Sequence, residues 1–204
     1  MKRAGARTAI IAAAVIAGVA GAGNADAQKL GSDAEAFLTA IREQDGNKAT
    51  EIENRAGAGV INYRGYSGET PLTVAMARRN STYVSFLLGK GADPNLGDKQ
   101  GDTALIIAAR TGFAEGLDRM LAAGARVDAA NRQGETALIA AVQARQSGIV
   151  RKLLEAGANP DKADFAAGYS ARDYAKRDTR NRDLLKLIET VNFNRSRLRV
   201  SRLA

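Results

Sequence analysis

Among the 204 residues there is no cysteine, no histidine and no tryptophan. The first two absences remove the strongest thiol nucleophile, the commonest general base and most transition-metal ligands together. A Ser-His-Asp or Cys-His site is therefore impossible, and no disulfide can staple the fold. Only three prolines and 5% aromatic residues occur, so any core must be built from Ala, Leu, Ile and Val. Such small side chains suit helices that approach one another closely.

What the chain does contain is repetition. The phrase GETPLTVAMA at 68–77 returns as GDTALIIAAR at 101–110 and as GETALIAAVQ at 134–143, a period of 33. Each copy closes in phase, with LLGKGADPN at 87–95, MLAAGARVD at 120–128 and LLEAGANPD at 153–161. A fixed period of this size implies stacked repeats. In each unit a glycine precedes Thr70, Thr103 or Thr136 by two positions, which reads as a turn followed by a helix N-cap. The first helix then places Leu72 and Ala75, Leu105 and Ala108, Leu138 and Ala141 on one face. A second helix carries Val84, Leu87 and Leu88, then Leu117, Met120 and Leu121, then Ile149, Val150, Leu153 and Leu154. Gly91, Gly124 and Gly157 stand where a left-handed residue would end it.

The string T-[PA]-L-x-x-A followed by L-L-x-x-G-A resembles the ankyrin repeat, in three good copies over about 58–161 with weaker copies on both sides. The histidine common after T-P-L in that family is replaced here by Thr73, Ile106 and Ile139. The resemblance implies an all-α solenoid of helix pairs with hairpin loops, about five units including degenerate caps. For the N-terminal cap, Ser32-x-x-Glu35 predicts a helix start, with Ala34, Phe37, Leu38 and Ile41 at helical spacing and a charged second helix near 47–55. At the other end GYSARDYA at 168–175 continues the phase after a one-residue insertion in DKADFAAG, and 181–189 supplies a closing helix.

The first 27 residues differ from the rest. Lys2, Arg3 and Arg7 precede the apolar run TAIIAAAVIAGVAGAG, which ends at Ala25-Asp26-Ala27, the pattern of a secretory signal peptide cleaved after Ala27. Its apolar part, Thr8 to Val19, spans about 18 Å as a helix, short of a bilayer core of roughly 30 Å. Export to a bacterial periplasm is the expectation, with a repeat domain over 28–189 and a basic tail over 190–204.

The net charge is +8, and removal of the first 27 residues would leave 27 basic and 21 acidic side chains. Residues 28–171 are balanced at 17 of each sign, whereas 172–204 hold 10 basic and 4 acidic residues. An extended tail would align Arg195, Arg197 and Arg199, with Arg202 close behind, to touch an anionic lipid or glycan weakly. Nucleic acid is disfavoured by the neutral repeat body.

Chemistry is hard to place. Asp93, Asp98 and Asp102, or Asp161 and Asp164, form acidic clusters, but at turn positions where Asp serves Asx-turns. The strings Gly57-Ala58-Gly59 and Gly89-Lys90-Gly91 lack the frame of a dinucleotide or phosphate loop. The reading is a non-enzymatic monomer without cofactor or metal. In the family it resembles, hairpin tips and exposed first-helix positions hold a protein partner. Through the Gly and Thr landmarks these map to Tyr66, Ser67, Glu69 and Arg78, then Lys99, Gln100, Asp102 and Arg110, then Arg132, Gln133, Glu135 and Gln143, then Phe165 and Tyr169. Tyr and Arg are frequent interface anchors.

Overall fold

The computed structural model describes the backbone of residues 24–200 and the side chains of 28–191. Helices follow in pairs: α1 (Asn24–Glu43) with α2 (Gly46–Ala56), α3 (Pro71–Ala77) with α4 (Ser81–Gly89), and α5 (Ala104–Thr111) with α6 (Ala114–Ala122). Then come α7 (Ala137–Gln143) with α8 (Ser147–Glu155), and α9 (Ala171–Arg177) with α10 (Arg182–Val200). Five pairs, two of them outside the three clear repeats, match the expected solenoid.

The first helices pack in one row, α1 on α3, α3 on α5, α5 on α7 and α7 on α9; the second helices α4, α6, α8 and α10 form the other. Small residues in register make the first row close. Ala75, Ala108, Ala141 and Ala175 are all buried, as are Leu72, Leu105 and Leu138. The second row contributes Val84, Leu87, Leu117, Met120, Val150 and Leu153, so one apolar core runs the length of the stack.

The predicted caps hold. Thr70, Thr103 and Thr136 each accept the N–H of the residue three ahead, and Ser170 does the same in the worn fourth copy. The position of the missing histidine splits two ways. In α3 the hydroxyl of Thr73 accepts the N–H of Thr70, a closed capping box, and in α9 Asp173 does likewise for Ser170. In the two central units Ile106 and Ile139 are fully buried and add apolar area instead.

Two ladders tie the units together. Asn62, Asn95 and Asp128 each accept the N–H of a residue 31 positions ahead, from Asp93, Arg126 and Asn159, at 2.8, 2.8 and 2.9 Å. At the hairpin tips Arg132 N–H donates to the Gln100 carbonyl and Phe165 N–H to that of Gln133. These bonds satisfy loop backbone that would otherwise lack partners.

Three expectations need correction. The first helix does not start at Ser32: residues 24–31 are already helical, with no proline and only one glycine, which a helix tolerates. Glu35 is consequently not a capping residue; it accepts the Tyr63 hydroxyl at 3.1 Å. At the far end the closing helix does not stop at Glu189. It continues to Val200, since 190–200 contain neither glycine nor proline, and the boundary drawn between repeat domain and tail falls inside α10. Alternate positions of a helix do not share a face, so the alignment argued for an extended tail does not apply through Val200. The side chains of Arg195, Arg197 and Arg199, all of Arg202, and residues 1–23 of the expected signal peptide lie outside the described residues.

Candidate functional site

In the last three units the hairpin tip is a turn closed by an Asp or Asn side chain at one recurring position. Asp98 Oδ1 accepts the N–H groups of Gln100 and Asp102 at 2.8 and 2.9 Å, and Asn131 Oδ1 those of Gln133 and Glu135, both at 3.0 Å. In the fourth unit Asp164 Oδ1 accepts from Ala167 and Gly168, and its one-residue insertion widens this turn. In the first unit the equivalent is Gly65, where a Cβ would stand 2.4 Å from Leu38 Cδ2. Glycines Gly68, Gly101 and Gly134 follow with φ of 85, 83 and 80°, and a Cβ at Gly68 or Gly134 would strike the backbone of the next tip. The tips are thus fixed in shape and stacked against one another.

Below them the first-helix face carries a bonded polar strip. Arg110 on α5 donates to Asp102 through both terminal nitrogens, at 2.6 and 3.2 Å, and reaches Glu135 of the next unit at 2.6 Å. Asn131 Nδ2 donates to the same two carboxylates, at 2.7 Å to Asp102 and 3.1 Å to Glu135. Asp102 is only 7% exposed. Its burial works to raise the carboxyl pKa, but hydrogen bonds from Arg110 and Asn131 outweigh that and hold it below the usual range. The guanidinium of Arg110 is raised in turn, first by its bond to Asp102 and then, against desolvation, by Glu135. Glu69 is likewise lowered: burial opposes, and its own N–H, Arg42 of α1 and the Ser67 hydroxyl prevail.

The far end is aromatic. Tyr174 donates to Asp164 at 2.6 Å, and the Tyr169 ring meets the Tyr174 ring edge-on at 5.6 Å with the Arg177 guanidinium 4.5 Å from its centre. Gln143 contacts the Tyr174 hydroxyl. Tyr63 is also committed: burial first, and then its bond to Glu35, push its phenol up to about 12.

The proposed partner-binding residues therefore fall into two groups. Glu69, Asp102, Arg110, Glu135, Gln143 and Tyr169 are engaged within the protein and shape the face. Tyr66 and Phe165 stand 89% and 78% exposed at the first and last tips, and Ser67, Arg78, Lys99, Gln100, Arg132 and Gln133 are exposed beside or between them. Tyr66 also overhangs an open cleft against α1, lined by Ser32, Glu35 and Thr39. Arg42, Asn131, Tyr174 and Arg177 are contributors that the sequence reading missed. For Asn131 a signal existed, since residues 65, 98, 131 and 164 stand in register and only this one is an amide. The acidic clusters are each spoken for: Asp93 and Asp98 by turn N–H groups, Asp161 by Arg172, Asp164 by Tyr174 and two backbone amides.

A model of the family described as ankyrin repeats (three copies) matches residues 73–164. No curated protein matches the chain. Members of this family are typically non-enzymatic modules that mediate protein–protein interaction. With the paired helices, the Thr caps and the hairpin tips all at the same period, the chain is an ankyrin repeat protein.

Proposed function

We propose that this module works in the bacterial envelope, exported by cleavage after Ala27, where it binds an envelope protein through its hairpin tips and first-helix face and thereby inhibits or stabilises it. The observation that carries the choice of face is the pair Tyr66 and Phe165, two large side chains left in solvent on tips that the rest of the network holds rigid. Rigid aromatic side chains contribute much contact area at little entropic cost. They stand three tips apart, roughly 25–30 Å if neighbouring helices lie 8–10 Å from each other. That span suits a folded partner. Export rests on the basic start, the apolar run and the small residues ending at Ala27.

A second reading, attachment to an anionic envelope lipid or glycan through the C-terminal arginines, is favoured by one observation: all the excess charge lies in 172–204. Affinity capture from periplasmic extract separates the two, with the mature chain and a chain ending at Glu189 as baits. Retention of the same stoichiometric protein by both supports the tip face. Material held only by the longer bait, and released by moderate salt, would replace it with the tail.

A further inference from the structure

A second surface lies away from both helix rows. Between the second and third hairpins is an open cleft of about 560 Å³, lined only by hairpin and loop residues and by the cap Thr103. Its floor is small for a reason visible in register. Positions 64, 97 and 130 are equivalent, and they read Arg64, Gly97 and Ala130. A Cβ at Gly97 would stand 2.8 Å from the Gly101 carbonyl, so the hairpin's own backbone forbids a side chain there. Long cations from neighbouring units border the space so left: Arg64, Arg126, Arg132 and Lys162.

The balance of charge at this cleft is positive. Lys162 Nζ donates to the Asp128 carbonyl at 2.7 Å, but among the described residues the guanidinium groups of Arg64, Arg126 and Arg132 have neither an ion pair nor a hydrogen bond. This contrasts with Arg42, Arg55, Arg110, Arg145 and Arg172, each of which has a carboxylate partner. Two acids, Asp98 and Asp128, also border the cleft, so four cations stand against two carboxylates there. Asp98 Oδ1 accepts two N–H groups and Asp128 Oδ1 accepts one from Asn159. Three guanidinium forks at one concavity can offer more donors than a single planar carboxylate can accept, whereas a phosphoryl group presents three oxygens and up to two charges.

We infer that this cleft binds a small ligand through a phosphoryl group, with Arg64, Arg126 and Arg132 as its donors. The cleft adjoins the tip face and shares Arg132 with it, so a partner seated over the third tip competes with the phosphoryl ligand for that one cation. Both a soluble phosphate ester and a lipid headgroup carry the required chemistry.

The test uses amide NMR spectra of the full mature chain, titrated with pyrophosphate, with malonate as a carboxylate dianion, and with vesicles containing phosphatidic acid. Pyrophosphate is expected to shift the amides of Gly97, Gly101 and Ala130 more than those of the tip residues Tyr66 and Phe165. The double variant Arg126→Gln/Arg132→Gln removes at least one charge-assisted bond and is expected to weaken binding tenfold or more. Ala130→Glu, which adds a carboxylate to the floor without touching a cation, should weaken it too, and the dispersion of the spectra reports that both variants remain folded. Tail variant Arg195→Gln/Arg197→Gln/Arg199→Gln should bind as the parent does. Binding confined to the vesicles and lost in the double variant assigns the headgroup as the source. Equal shifts with malonate would overturn the phosphoryl assignment, and no shift at these amides with any probe, or shifts that depend on the tail arginines, would overturn the site.

Discussion

The guanidinium of Arg110 on one repeat lies 2.6 Å from a carboxylate oxygen of Glu135 on the next, while its other arm holds Asp102 of its own hairpin. This bracket couples two units through a polar contact rather than through the apolar core. Arg110→Ala leaves the buried Asp102 carboxylate with Asn131 as its one side-chain donor. Arg110 itself is partly exposed, which discounts the ion pairs. A loss of about 1–2 kcal/mol is expected, read as a lower urea midpoint with unchanged slope.

Asn131 faces two carboxylates with its amide while its oxygen closes the turn. Asn131→Asp keeps the turn acceptor but sets a third negative charge against Asp102 and Glu135. The change should cost about 1–2 kcal/mol at neutral pH and recover as the cluster is protonated. The reverse swap at the neighbouring tip, Asp98→Asn, has no such cluster to meet and should cost under about 0.5 kcal/mol. Urea melts of the two variants in parallel make the comparison.

Acid sensitivity follows from the lowered carboxyls. Asp102, Glu69 and Asp164 all titrate below their ordinary values in the folded chain. A depressed folded pKa gives stability that is present above the unfolded value and lost as pH falls through the folded one. Stability should therefore decline as pH drops below about 4. With no histidine to titrate, it should be flat between about pH 6 and 8. Thermal melts from about pH 3 to about pH 8 check both parts, and Asp102→Asn should show a shallower acid decline than the parent.

In four of the five helix pairs the turn between the helices takes a left-handed residue, at Arg79 (φ 53°), Gly112 (φ 70°) and Arg145 (φ 56°), and again at Gln44 after α1 (φ 61°). Only one of the four is glycine. Gly112→Ala should cost about 1–2 kcal/mol from backbone strain, because the atoms a Cβ would meet belong to the flexible end of Gln146. Arg79→Gly should be neutral or stabilising, since it relieves the same strain. Chemical denaturation of the pair distinguishes them.

These positions mark where legibility in the sequence ends. Thr70, Thr103 and Thr136 were readable as caps, and Gly91, Gly124 and Gly157 as stops, because each acts on its own backbone within a few residues. The left-handed turn at Arg79 and Arg145 was hidden, for arginine carries no signal for that conformation. The bonds of Arg110 and Asn131 were hidden for another reason: they depend on which side chains of adjacent units meet, which periodicity aligns but does not pair. The extent of α1 and α10 was misjudged where the repeat gives no landmark and only the absence of breakers speaks.

The most direct test of the central claim is the dissociation constant of the captured partner, measured against the parent chain and against Tyr66→Ala and Phe165→Ala. Anchoring side chains at an interface carry about 2 kcal/mol or more each, so each variant should bind roughly 30-fold more weakly while its melting temperature is unchanged. Affinities within about twofold of the parent for both variants would contradict the account, because the two aromatic tips would then lie outside the interface.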